Sequence, residues 1–376
     1  MKFQTTNIKL KSKIKKFYHT VFFIFNMCFV VGGIFTFAES AAGADDDVEY
    51  ANAGKEKVSI TDACGCKFDI TCPVQRLIVT NSDAAEVLCA LVAADKIVGI
   101  TDHTARICSD LFSELKGKTI VGSWQNPSLE KIIELKPDAV ITYDKWRPAE
   151  EDFAQRLARF NIAVIRAPCY KIDSLAEDIR ILGKITGKEK KAEVYIDYYQ
   201  KILKDAESRL KNLERKTRVY AESYTNYYAV SKGSGAYEIL ERAGADNITG
   251  DQPIPSPLVS PEWIVDKNPE IIIKSASSGY LRMGYGCSDI NAVAMFWNVL
   301  IKRPVWDRIE AVQKNRVYLI CPEIWSGPRA AIGIIYIAKW CYPQEFRDID
   351  PEAIHQQWLM KWHNKELKGI YVYPGN

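Results

Sequence analysis

Two carboxylates and a set of aromatic and cationic side chains carry the chemistry this sequence can do. Glu130 and Glu262 occupy the same position in a repeated plan, E-x-I-(I/V)-(E/D)-x-x-P-(D/E), which spans 130–138 and returns at 262–270. An acid in a first helical turn complements the helix dipole, which accounts for either residue alone. It does not account for the matched pair. Around the expected strand ends stand Asn81, Trp124, Tyr143, Trp146, Arg147, Tyr170, Tyr224, Tyr227, Arg282, Tyr285, Trp325 and Arg329. Rings of this kind offer apolar faces with a polar tip, and a planar guanidinium can grip carboxylate or phenolate oxygens with two parallel hydrogen bonds. That is capture rather than bond-making. The patterns G-x-S-x-G, H-E-x-x-H and G-x-G-x-x-G are absent, so no catalytic residue and no cofactor is expected. With four histidines in the chain, His103 alone in its loop and His355 and His363 eight apart, a site for naked zinc or manganese is not expected either.

The elements that position these groups alternate between strand and helix. Asn126-Pro127 and Ser260-Pro261 read as a cap followed by a first-turn proline, and Pro137 and Pro269 end the two short helices. The β-branched runs that follow, 139–142 and 271–273, predict buried parallel strands. Further strands are expected at 77–80, 97–100, 162–165, 218–222 and 317–320, and helices at 84–93, 236–243 and 330–340. Asp102 to Arg106 is expected to be a loop at a strand end. Residues 188–213 contain neither glycine nor proline, and Ala192, Tyr195, Ile196, Tyr199, Ile202, Leu203, Ala206 and Leu210 recur at helical spacing. One long helix should therefore join two similar lobes, and a continuous helix allows only small opening motions.

Composition bounds the class. The chain is 47% hydrophobic and 26% charged with a formal net charge of +3, and it shows no basic stripe with interleaved aromatics, so nucleic acid is not an expected partner. Lys2, Lys9, Lys11, Lys13, Lys15 and Lys16 precede an apolar run at 21–38 and then small residues, the pattern of an export signal or, if uncleaved, a membrane anchor. An acidic and polar linker follows to residue 57, then a hairpin at 58–70 around Cys64-Gly65-Cys66. Ten cysteines leave an odd one once Cys28 is set aside with the leader. Thiols, a disulfide among Cys64, Cys66 and Cys72, and a thiolate metal site all remain open.

The two-lobe plan, the paired glutamates and the P-(D/E) step before a strand resemble the substrate-binding proteins of ABC importers for ferric siderophores, haem or cobalamin, over roughly residues 58–342. The resemblance implies an α/β fold of two Rossmann-like lobes with a ligand cleft between them. Its parts would be a signal peptide or anchor (1–42), a linker (43–57), a first lobe (58–187), the interlobe helix (188–213), a second lobe (214–345) and a C-terminal helical extension (346–376). It implies an exported, extracytoplasmic protein, at the membrane through its N-terminal segment if that is uncleaved. Its partners would be a metal chelate, foremost a ferric siderophore-type iron complex, and a permease dimer whose arginines receive Glu130 and Glu262. The twelve residues named above would face the ligand, with Arg329 at the position of a cleft arginine. Corrinoid or haem binding by the same kind of receptor is the alternative, as is a two-lobed metal-cluster or chelatase-like enzyme.

Overall fold

A computed structural model describes residues 55–108, 110–143, 149–276 and 281–374. The leader, most of the linker, and Trp146 and Arg147 lie outside the described residues. An N-terminal hairpin pairs β1 (Glu56–Thr61) antiparallel to β2 (Lys67–Cys72), with the turn at Cys64-Gly65 as the alternation implies.

The first lobe is a five-stranded parallel sheet of β3 (Leu77–Val79), β4 (Ile97–Ile100), β5 (Thr119–Ile120), β6 (Ala139–Thr142) and β7 (Ala163–Arg166), in the order β5-β4-β3-β6-β7. The order reverses direction at β3, which makes the carboxyl ends of β3 and β6 the place where a crevice opens in an α/β sheet. The second lobe repeats the logic with β8 (Arg218–Glu222), β9 (Asp246–Asn247), β10 (Ile271–Ser275) and β12 (Val317–Ile320) parallel. β11 (Gly284–Tyr285) and β13 (Gly369–Ile370) form a separate antiparallel pair, and β14 (Val372–Tyr373) closes the second sheet antiparallel to β12. The switch there lies between β8 and β10. β6 and β10 are buried along their whole length, as near-continuous apolar runs in covered parallel sheets must be.

The interlobe helix runs Glu189–Leu210 and buries Ala192, Tyr195, Ile196, Tyr199, Leu203 and Ala206, the face its spacing marks. Against it packs the helix Pro351–His363, capped by Asp350, whose carboxylate accepts from the N–H groups of Glu352 and Ala353. Trp358 and Trp362 set their edges on Tyr195 with ring centroids 5.4 and 4.6 Å apart. Burying aromatics of this size contributes roughly 4 kcal/mol each. The same helix reaches the first lobe, where His363 meets Phe112 at 4.9 Å, and the chain then runs on to supply β13 and β14.

The sequence reading of this tail as a helical extension is therefore corrected. It is also sheet, because two-residue strands carry no period that a pattern can register. A second correction concerns Asp102–Cys108, which is helical rather than a loop; Thr101 accepts from the Thr104 N–H through its hydroxyl and so opens that helix.

Candidate ligand cleft and its rim

The repeated motif is duplicated down to single hydrogen bonds. In the first lobe Ser128, not Asn126, caps the helix Leu129–Glu134, accepting from the Lys131 N–H. In the second, Ser260 caps Pro261–Lys267 through the Trp263 N–H. Lys136 and Asn268, equivalent in the motif, both take left-handed φ, +46° and +42°. Asp138 accepts the Arg76 N–H at 2.9 Å while the Arg76 guanidinium donates to the Leu135 carbonyl at 2.7 Å. Glu270 accepts the Arg218 N–H at 3.1 Å while the Arg218 guanidinium donates to the Lys267 carbonyl at 3.1 Å. Each clasp fixes a short helix against the first strand of its lobe. Glu130 and Glu262 are exposed in the first turns.

At the switch point of the first lobe, Asn81 follows β3 and is 1% exposed; its side chain accepts the Ala84 N–H at 2.6 Å and donates to the Ala167 carbonyl. It builds the helix Ser82–Ala90 instead of facing a ligand. That helix presents Asp83, to which the Tyr143 hydroxyl, just beyond β6, donates at 3.3 Å. Tyr143 meets Trp124 edge-on at 6.1 Å and Tyr170 at 5.9 Å. Opposite, Tyr224 follows β8 at the second switch point, 49% exposed, while Trp124 is 37% exposed. The Tyr224 hydroxyl is nonetheless pushed up to about 12 by lost solvation and then by Asp83. Solvent reaches this ring while protein surrounds it, as on a concave wall. Lobes meet below: the Gly327 N–H donates to the Tyr170 carbonyl at 3.1 Å, and Gly327, with φ +83°, leaves no space for a Cβ, which would lie 2.5 Å from the nearer Asp83 oxygen.

Arg329 does not offer its guanidinium to this opening. It is 3% exposed and reaches across the lobes to Glu86, with Nε and Nη2 donating at 2.8 and 3.2 Å, and a 2.9 Å ion contact to Glu323. The turn at Gly327 aims it inward. Trp325, also 3% exposed, is core. Tyr227 packs on Trp306 and under Arg303, whose guanidinium is 4.6 Å from its ring. Arg282 bonds Asp110 of the first lobe at 2.6 Å on the rim, and Tyr285 lies half-buried in β11 with its N–H donating to Glu323. Trp124, Tyr143, Tyr170 and Tyr224 are thus the expected residues that come together.

Asp83, Glu86 and Glu323 escaped the sequence reading, which began the helix at residue 84, whereas it runs Ser82–Ala90. Burial raises the Asp83 carboxyl to about 7, with Glu86 adding to the rise. Burial also pulls His363, 3.8 Å from Glu86, down to about 3, with Arg329 reinforcing it, so this imidazole is a neutral neighbour. Behind Tyr224, Glu222 pairs with Lys274 at 2.9 Å and Arg303 at 2.7 Å, which hold its carboxyl low despite the cost of burial. Among the described residues, no group of three or more His, Cys, Asp or Glu is placed to hold a metal ion. Cys72 is buried at the far end of β2 from the exposed Cys64 and Cys66, so no three-thiol site forms.

A family model described as "Periplasmic binding protein" matches residues 77–323. The chain is similar to the uncharacterized ABC transporter substrate-binding lipoprotein YvrC of Bacillus subtilis (strain 168), 26% identical over 299 residues, covering 77% of this chain and 87% of that protein. It is also similar to the vitamin B12-binding protein of Pectobacterium carotovorum subsp. carotovorum (strain PC1), 26% identical over 233 residues, with 61% and 79% covered. Among solved structures, the TroA-like periplasmic binding protein FepB from Veillonella parvula superposes with a TM-score of 0.73 at 23% identity, over 85% of this chain and all of that one. The nickel-histidine complex of Helicobacter pylori CeuE gives 0.67 at 23%, over 83% and 97%. At such identities the structural likeness speaks for the fold.

Proposed function

This chain belongs to the periplasmic binding protein family, and from that premise we propose that it is the extracytoplasmic substrate-binding component of an ABC importer, capturing a metal chelate and handing it to a permease dimer. The observation that carries the reading is the duplicated clasp, which holds an exposed glutamate at one equivalent point on each lobe. Each glutamate stands in a helix entered from the carboxyl end of its sheet, the side on which the lobes face one another. Two acidic points flanking one opening match a two-fold partner with basic acceptors, where charge sets register and encounter rate. The ligand, a ferric siderophore-type complex or a corrinoid, lies between Trp124, Tyr143, Tyr170 and Tyr224, with Trp146 and Arg147 bordering the same strand end in sequence. The relatives' printed functions support a receptor of this kind. The chemistry is binding and release, with no bond made or broken.

Reversing either docking charge tests the division of labour. Glu130→Lys and Glu262→Lys are each expected to abolish uptake in cells while leaving chelate affinity of the purified protein unchanged. Equal loss of uptake and affinity would overturn the assignment.

A further inference from the structure

The resemblance led to an arginine awaiting an anionic chelate, and the cleft floor shows the reverse arrangement. Three carboxylates, Asp83, Glu86 and Glu323, surround the single guanidinium of Arg329. Two of them neutralise it by direct contact, and Asp83 is left over, hydrogen-bonded only by the neutral Tyr143 hydroxyl among its described side-chain partners. Other cations near the opening have partners, although Lys274 and Arg303 share one carboxylate and Arg106 meets only an imidazole. Lys274 and Arg303 are bound to Glu222, Arg282 to Asp110, and the Arg106 guanidinium lies 3.1 Å from the His103 imidazole. The Lys171 ammonium stands over the Tyr170 ring, 5.3 Å from its centroid. Aromatic faces complete the wall, and the negative face of a ring attracts positive charge and repels negative.

A polyanionic ligand entering this floor would meet the Asp83 carboxylate, with the neighbouring Arg329 guanidinium already held by Glu86 and Glu323. A ligand bearing a cationic or hydrogen-bond-donating group would meet an acceptor already in place between rings. We propose that the cleft selects metal chelates of neutral or positive overall charge, with Asp83 as the residue that receives the ligand's cationic or N–H-donating edge, and discriminates against polyanionic catecholate-type complexes. The inference rests on the receptor reading above and specifies the charge class of its ligand. The raised carboxyl of Asp83 fits this role, since a cation beside it restores the ionised form that burial disfavours.

Tryptophan-fluorescence titration of the purified full-length protein tests it, using a ferric trihydroxamate (net +1), a neutral or cationic cobalamin and a ferric tricatecholate (net −3). At least one of the first two is expected to bind, and to bind more tightly than the tricatecholate. For the ligand that binds, Asp83→Asn is expected to weaken affinity about tenfold or more, the scale of a hydrogen bond to a charged group. The same variant should leave the weak catecholate binding equal or improved. Tighter binding of the tricatecholate by the parent protein, or an unchanged affinity in Asp83→Asn, overturns the charge selection and leaves the receptor reading standing. Absence of binding by every chelate overturns the receptor reading itself. A circular dichroism spectrum matching that of the parent confirms that Asp83→Asn is folded.

Discussion

Replacing Arg329 with methionine separates a structural arginine from a ligand-gripping one. The side chain is 3% exposed, and it is held by two hydrogen bonds to Glu86 and one ion contact to Glu323. Methionine preserves much of the volume but leaves two carboxylates in a poorly solvated place with no counter-charge. Removing one partner of a buried pair costs about 3–5 kcal/mol, most of it the desolvation of the charge left behind. The body Lys55–Asn376 has about 320 residues, so an unfolding entropy of about 2.1 cal/mol/K per residue amounts to about 0.7 kcal/mol/K. The expected fall in Tm is therefore about 4–7 °C, read by differential scanning fluorimetry at pH 7. Adding Glu86→Gln should recover part of the loss, because the orphaned charge is then absent and the two sites are coupled. A variant that melts within about 1 °C of the parent, yet loses chelate affinity, would refute the burial argument and return Arg329 to the ligand.

Other outcomes follow from the same geometry. The rim pair Arg282–Asp110 is exposed on both sides, 60% and 49% by side chain, so Arg282→Ala should leave Tm unchanged and, if the pair latches the lobes, raise the ligand's dissociation rate in stopped-flow measurements. Asp83 binds its proton more tightly folded than unfolded, so its contribution favours the fold below the usual carboxylate range and is lost as pH rises from about 4 to about 7. Urea midpoints across that window should fall less steeply in Asp83→Asn than in the parent; an identical slope would count against it. Deleting residues 344–376 uncovers Tyr195 and removes the buried Trp358, Leu359 and Trp362, so the truncated chain should lose cooperative melting.

Much of the framework was legible because period and punctuation agree. The strands at 97–100, 139–142, 218–222 and 317–320 are found where the apolar runs stand, and the interlobe helix differs from expectation only at its ends, Glu189 against 188 and Leu210 against 213. Local signals failed where two candidates competed or where tertiary contact decided the outcome. Asn126-Pro127 reads as the helix opener, yet Ser128, two residues on, is the one whose hydroxyl accepts the Lys131 N–H. Arg329 looked like a cleft residue because it follows a strand-end turn; which way a guanidinium points across a lobe boundary depends on Glu86, which lies 243 positions away in sequence. Asp83 was passed over for the complementary reason, since a first-turn acid is ordinary until a second lobe closes over it.

The tail has a consequence for how the molecule is made. β14 forms an edge of the second sheet, while the helix before it braces both the interlobe helix and the first lobe. Neither half can therefore complete its packing until residues 351–373 have settled against it.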